Sequence, residues 1–155
     1  MKAVIVNSTK KHIASKSVQK FISEVCAYFV EQNVRNATKL KSKSEISVVF
    51  LSPTEIKKLN RAFRKKDKAT DILSFESDDP ASLGELLLCP AVLKKQAMAQ
   101  KHSFELEMQY MLIHGVLHLL GYDHEASARE EKLMFRIQDK CFQNLSPVRP
   151  EKNRK

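Results

Sequence analysis

The chain has 155 residues, a length that fits a single domain, and 43% of them are hydrophobic while 29% are charged. This ordinary globular composition excludes disorder along most of the chain, and the longest apolar stretch, residues 110–122, is shorter than the about 20 residues of a membrane span. The positive excess behind the formal net charge of +9 lies in the first 68 residues, which contain 16 Lys and Arg but only 5 Asp and Glu. This distribution favours a polyanion such as nucleic acid as the partner. The alternative is that the basic residues only keep the protein soluble.

Apolar spacing predicts the elements of the first part of the chain. A short apolar run at residues 4–6 indicates a strand, and helical periodicity indicates an amphipathic helix at residues 17–32. Residues 35–44 are charged and rich in serine without apolar periodicity, which predicts a surface loop. Residues 45–51 are rich in β-branched side chains and predict a second strand.

A helix start signal follows the second strand. The run Ser52-Pro53-Thr54-Glu55 is a capping box with proline at the first helical position, so we expect a helix from there to about Phe63 or Arg64. At about 100° per residue, its apolar and basic side chains separate onto two faces. The packing face holds Ile56, Leu59 and Phe63, and the basic face holds Lys57, Arg61, Arg64 and Lys68.

The second half alternates strands and helices. Strands are predicted at residues 71–75 and 83–89, and helices at 90–101, 103–120 and 127–142. The segment 104–119 carries apolar side chains on nearly every helical face, so it belongs in the centre of the molecule. We therefore expect one α+β domain at residues 1–146, with a small mixed sheet of about four strands packed on helices around a central buried helix, and a basic, mobile tail at 147–155.

The cysteines and the N-terminal segment indicate the compartment. Cys26, Cys89 and Cys141 are odd in number and form no C-x-x-C pair, which is typical of reduced thiols in the cytosol. The first twelve residues lack the apolar core and the small-residue cleavage pattern of a secretory signal. We expect a cytoplasmic protein that does not associate with membranes.

Three histidines are distinguished by their spacing. His114 and His118 lie four residues apart on the central helix, so their imidazoles share one face and can converge on one ion. Gly121 ends the helix and lets the chain fold back, so that His124 can supply a third nitrogen. Three histidine ligands leave the fourth position of zinc open for water, which is the catalytic arrangement. The spacing therefore predicts one zinc per chain.

The same spacing occurs in metzincin peptidases, whose signature is H-E-x-x-H-x-x-G-x-x-H, so we expect a zincin-like metal site. In those enzymes the glutamate after the first histidine is the general base. Gly115 occupies that position in this chain. A zinc peptidase is thus an alternative function, but one without its usual proton acceptor.

Residues 114–124 resemble, position for position, the H-G-x-L-H-L-x-G-Y-D-H motif of the YbeY family of bacterial single-strand endoribonucleases. Residues 59–75 are similar to the family's L-N-x-x-Y/F-R…K-D-x-P-T-D-V-L-S-F segment, and residues 83–85 are similar to its L-G-D/E strand. Two positions depart from the family pattern. Ala69 stands where the family usually has proline, and Glu76 stands where proline often follows the phenylalanine. Both positions are in a loop or at a strand end, so they should alter rigidity more than chemistry.

The resemblance implies a zinc-dependent endoribonuclease that cuts single-stranded RNA, matures the 3′ end of small-subunit ribosomal RNA and acts in ribosome quality control. It implies ribosomal RNA, the small ribosomal subunit and ribosome-associated proteins as partners. It also implies that Arg64 lies in the active cleft, where a guanidinium can hold a phosphate by two hydrogen bonds. Asp123 could act as a base or orient a histidine. A ribosome-associated binding protein with a purely structural metal is the second alternative function.

Overall fold

The computed structural model describes residues 1–146, so the predicted tail at 147–155 lies outside the described residues. The elements confirm the predicted α+β class and the predicted order, with one short helix added. They are β1 (Lys2–Asn7), α1 (Ser15–Glu31), α2 (Lys39–Ser42), β2 (Glu45–Phe50), α3 (Pro53–Arg64), β3 (Ile72–Glu76), β4 (Ser82–Leu88), α4 (Pro90–Gln100), α5 (Phe104–Leu119) and α6 (Ala128–Leu145).

The strands form one mixed sheet of four strands, as expected, and the structure gives their order as β1-β2-β4-β3. β1 and β4 both run parallel to β2, whereas β3 pairs antiparallel with β4. The register sets Ile5 beside Val48 and Leu73 beside Leu87. β3 is therefore an edge strand, and α5 packs against this side of the sheet through β3 and β4.

The sheet has an apolar core on each face. Ile46, Val48 and Phe50 of β2 are fully buried in the larger core, which they share with α1, α5 and α6. Leu73 and Leu87 belong to a smaller apolar cluster that includes the buried side of α3. Because β4 contributes to both cores, its last three residues, Leu86 to Leu88, are all apolar instead of alternating with polar side chains.

Helix α5 lies at the centre of the molecule, as predicted. Twelve of its 16 residues are buried, and it contacts α1, α4, α6 and the sheet. Ser103 caps its start, because the Ser103 hydroxyl accepts a hydrogen bond from the backbone N–H of Leu106 at 3.1 Å. Within residues 1–146, no helix has the length and apolar character needed to cross a membrane.

Two segments near the N-terminal half illustrate where local sequence signals succeed and fail. The capping box at the start of α3 is present: the Glu55 N–H donates to Ser52 Oγ at 3.2 Å, and the Ser52 N–H donates to Glu55 Oε1 at 3.0 Å. The predicted loop at 35–44 contains α2, because burial of Leu40 anchors a segment that has no apolar periodicity of its own. Phe63 leaves the packing face of α3 and is 65% exposed.

Candidate metal centre

The three predicted histidines lie together at the C-terminal end of α5. His114 and His118 are one helical turn apart, and Gly121 has a φ of +95°, a left-handed conformation that suits glycine and reverses the chain after the helix. This reversal returns His124 to the other two side chains. The three potential ligand atoms all lie within 4.8 Å of one another, so the cluster could hold a metal ion.

A buried hydrogen-bond network fixes the ring of His114. Gln138 of α6 donates through Nε2 to the backbone carbonyl of Tyr110 at 3.1 Å, which leaves its Oε1 as an acceptor. That oxygen lies 2.9 Å from Nδ1 of His114, so Nδ1 carries the proton and donates it. The lone pair of the neutral ring is consequently on Nε2. Such a partner for the second nitrogen is the usual way in which a protein orients a histidine ligand.

Burial keeps two of the three imidazoles neutral. It lowers the pKa of His114 to about 4, although the hydrogen bond that His114 donates to Gln138 acts in the opposite direction. Burial is also the largest of the effects that lower the pKa of His118. The neighbouring ring of His124 lowers it further, and the positive charge of Arg64 does so more weakly. Only neutral imidazoles can donate a lone pair to a metal. The electrostatics therefore favour the form that binds metal.

His124 supplies the clearest test of whether the cluster suits a metal. Its Nδ1 is buried, and it has no hydrogen-bond partner among residues 1–146. A buried polar atom without a partner is unfavourable unless something else satisfies it. Three converging imidazoles, two of them held neutral by burial, fit a borderline transition-metal ion.

Gly115 lies where α5 packs against the sheet. A Cβ at this position would lie 2.7 Å from Leu86 Cδ2 and 2.8 Å from Ile72 Cδ1, closer than real Cβ contacts allow. No glutamate fits there without displacing the core. The general base of a metzincin peptidase is therefore excluded from this position by packing, which disfavours the peptidase alternative.

The histidines line an open cleft of about 750 Å³. The end of α3 and the loop that follows also line it, through Arg64, Lys66 and Lys68. Of the basic face predicted for α3, Arg64 and Lys68 line the cleft and Lys57 and Arg61 do not. The positive charge that faces the histidines is thus concentrated at the C-terminal end of α3.

A carboxylate next to His124 pairs with these basic side chains. Arg64 Nη2 lies 3.3 Å from both carboxylate oxygens of Glu125, and Lys66 Nζ lies 3.9 Å from one of them. All three side chains are substantially exposed, from 36% for Arg64 to 57% for Glu125. Exposed pairs of this kind contribute little to stability and can be exchanged for another anion.

Sequence reasoning missed three features of the cleft. Gln138 could have been found, because it is a polar residue at helical spacing from buried Met134 and Cys141 on α6. Asn60, which is 1% exposed, holds the basic loop: its Nδ2 donates to the Lys68 carbonyl at 2.9 Å. Nothing in the sequence pattern indicated that Glu125 would reach Arg64.

An α+β domain whose central helix carries converging imidazoles in a cleft lined by basic side chains is similar in arrangement to metal-dependent hydrolases. The model of the Endoribonuclease YbeY family matches residues 4–146. An Endoribonuclease YbeY from Bdellovibrio bacteriovorus is 45% identical over 145 residues, covering 94% of this chain and 95% of the relative. One from Persephonella marina is 36% identical over 153 residues, covering 94% of each.

A solved structure agrees with these relatives. The solution structure of a protein from Thermotoga maritima superposes with a TM-score of 0.58 at 30% identity, covering 98% of this chain and 99% of that one. The chain belongs to the Endoribonuclease YbeY family. It is accordingly a hydrolase of the nuclease class.

Proposed function

We propose that this protein is a zinc-dependent endoribonuclease that cuts single-stranded RNA in the cytoplasm. We propose further that it acts in maturation of the 3′ end of small-subunit ribosomal RNA and in ribosome quality control, with the small ribosomal subunit and its associated proteins as partners. The observation that carries the proposal is that three clustered imidazoles and the guanidinium of Arg64 line the same cleft. The relatives named Endoribonuclease YbeY support the choice of RNA over other phosphodiesters.

His114, His118 and His124 would hold one zinc ion per chain. When bound, zinc supplies Lewis acidity, which polarises a phosphoryl oxygen and lowers the pKa of a coordinated water. The chain's own contribution is to keep the ligands neutral and oriented, through burial and through the Gln138 network. The cleft that the histidines line is open to solvent and has a volume of about 750 Å³, so it is accessible to a strand of RNA.

Arg64 would bind the scissile phosphate and stabilise the charge that grows on its nonbridging oxygens. One guanidinium nitrogen, Nη2, already lies 3.3 Å from the two carboxylate oxygens of Glu125, which resemble those of a phosphate in charge and spacing, and the planar group has a second nitrogen for a two-pronged contact. A phosphodiester would take the place of that carboxylate. Charge-assisted donors aimed at a developing oxyanion typically supply a few kcal/mol of transition-state stabilisation.

Asp123 is best assigned a positioning role. Its Oδ1 accepts a hydrogen bond from the backbone N–H of Glu125 at 2.9 Å, which orders the turn that carries His124. Its negative charge also raises the pKa of His118, against the larger effect of burial. Both effects act on the histidine cluster and need no direct contact with the substrate.

The test is Arg64→Lys, which keeps the charge and removes the two-pronged donor. Single-turnover cleavage of a short single-stranded RNA should fall on the order of tenfold to a thousandfold, while affinity and zinc content stay close to wild type. Arg61→Lys is the matched control, because Arg61 lies on the same helix but outside the cleft. Equal cleavage by both variants would remove Arg64 from the mechanism.

The same assay separates the alternative functions. Purified wild-type protein is incubated with RNA and with an unfolded protein substrate, with and without a chelator. An endoribonuclease cleaves only the RNA and loses activity with the chelator. A peptidase cleaves the protein substrate, and a binding protein with a structural metal cleaves neither.

A further inference from the structure

Phe63 exposes an aromatic ring inside the cleft. Its side chain is 65% exposed, although its spacing from Ile56 and Leu59 predicted that it would pack against the core. Phe63 lies in the final turn of α3, immediately before Arg64, and its side chain lines the cleft. Among residues 1–146, the other exposed large hydrophobic side chains are not aromatic: Val4, Val6 and Met98, at 37%, 49% and 70% exposed. Burial in the core therefore does not account for an aromatic residue here.

A second aromatic ring fixes the orientation of Phe63. The ring of Phe75, on edge strand β3, lies 5.2 Å from the ring of Phe63 at an interplanar angle of 66°, an edge-to-face arrangement. Phe75 packs against the smaller apolar cluster and also lines the cleft. In an edge-to-face pair, at least one face of each ring remains uncovered by its partner. Phe63 is thus held in place with a ring face available to a ligand.

The charges around this ring identify the ligand. Arg64, Lys66 and Lys68 line the same wall of the cleft. A flat apolar face beside a row of cations matches a nucleotide, whose base stacks while its phosphate pairs with the cations. In a duplex both faces of an internal base are covered by its neighbours, whereas a single strand can turn a base outward.

We propose that Phe63 is a base-stacking platform that makes the cleft prefer single-stranded RNA, with Phe75 as the residue that positions its ring. This inference rests on the proposed endoribonuclease function and adds a residue that selects the substrate. Stacking of one base on an aromatic side chain changes affinity on the order of tenfold to a hundredfold. Stacking does not depend on base identity, so the platform selects strand state and not sequence.

A fluorescent reporter tests the contact directly. The chain contains no tryptophan, so Phe63→Trp introduces a single indole at the platform. Titration with an eight-nucleotide single-stranded RNA should quench its emission, and a hairpin duplex of equal charge should not. Met98→Trp is the matched control, because Met98 is 70% exposed and does not line the cleft. Equal quenching in the two variants, or equal quenching by the single strand and the duplex, overturns the proposal.

Cleavage kinetics give an independent result. Phe63→Ala should raise the KM for the single strand about tenfold or more and leave the saturating single-turnover rate near wild type, whereas Phe63→Tyr should retain both values. An abasic nucleotide at the stacked position should raise the wild-type KM and leave that of Phe63→Ala unchanged. If wild type cleaves RNA and the KM of Phe63→Ala is unaltered, the stacking proposal is overturned while the endoribonuclease function stands. Absence of cleavage by wild type instead overturns the endoribonuclease function, and the quenching experiment then still decides the stacking contact.

Discussion

Replacing Glu125 by glutamine should tighten RNA binding, because this carboxylate competes with the phosphate for the basic wall of the cleft. Glu125 lies 3.3 Å from Arg64 Nη2 and 3.9 Å from Lys66 Nζ. At such separations one ion pair in water is worth about 1 kcal/mol by Coulomb's law, and exposed pairs retain roughly 0.2–1 kcal/mol after screening and side-chain entropy. Loss of both ion pairs therefore lowers by about 1 kcal/mol the free energy needed to free Arg64 and Lys66 for a phosphate. RNA should bind roughly fivefold more tightly.

The assay is a binding isotherm with a fluorescent single-stranded RNA at low and at high salt. The advantage of Glu125→Gln should shrink as salt screens the pairs. Glu130→Gln is the matched control, since Glu130 also pairs with an arginine, Arg35, at 2.9 Å, but neither residue lines the cleft. Unchanged or weaker binding by Glu125→Gln at low salt, with the control at wild-type affinity, would refute the competition at Arg64.

Two further predictions concern the metal and the core. We expect about one zinc per chain in wild type and the loss of most of it in His118→Ala, because two imidazoles hold the ion poorly. Elemental analysis after gel filtration measures this, and full occupancy in the variant would rule out His118 as a ligand. Gly115→Ala should lower the free energy of unfolding by about 1 kcal/mol, since crowding against Leu86 and Ile72 outweighs the gain in helix propensity. Urea denaturation checks the second prediction, and a variant more stable than wild type would contradict it.

The sequence determined those features that depend on residues close together in the chain. The capping box at Ser52 and the end of α5 before Gly121 are local signals. The first satisfies a backbone N–H group at the start of a helix, and the second reverses the chain direction, each within a few residues. The convergence of His114, His118 and His124 follows from one helical turn plus that reversal. The family motif spans the same short run, so membership of the family was also readable from sequence.

Tertiary structure decided the contacts between segments that are distant in the chain. The partner of His114 is Gln138, 24 residues away, and the partner of Arg64 is Glu125, 61 residues away. No local periodicity encodes such pairs, because they depend on how α6 and α3 pack against α5. The exposure of Phe63 was predicted wrongly for the same reason. Helical spacing gives the face of α3 on which a residue lies, but the apolar core does not extend along that face to the end of the helix. The extent of the core is a property of the whole fold, so only the structure could place this ring in the cleft.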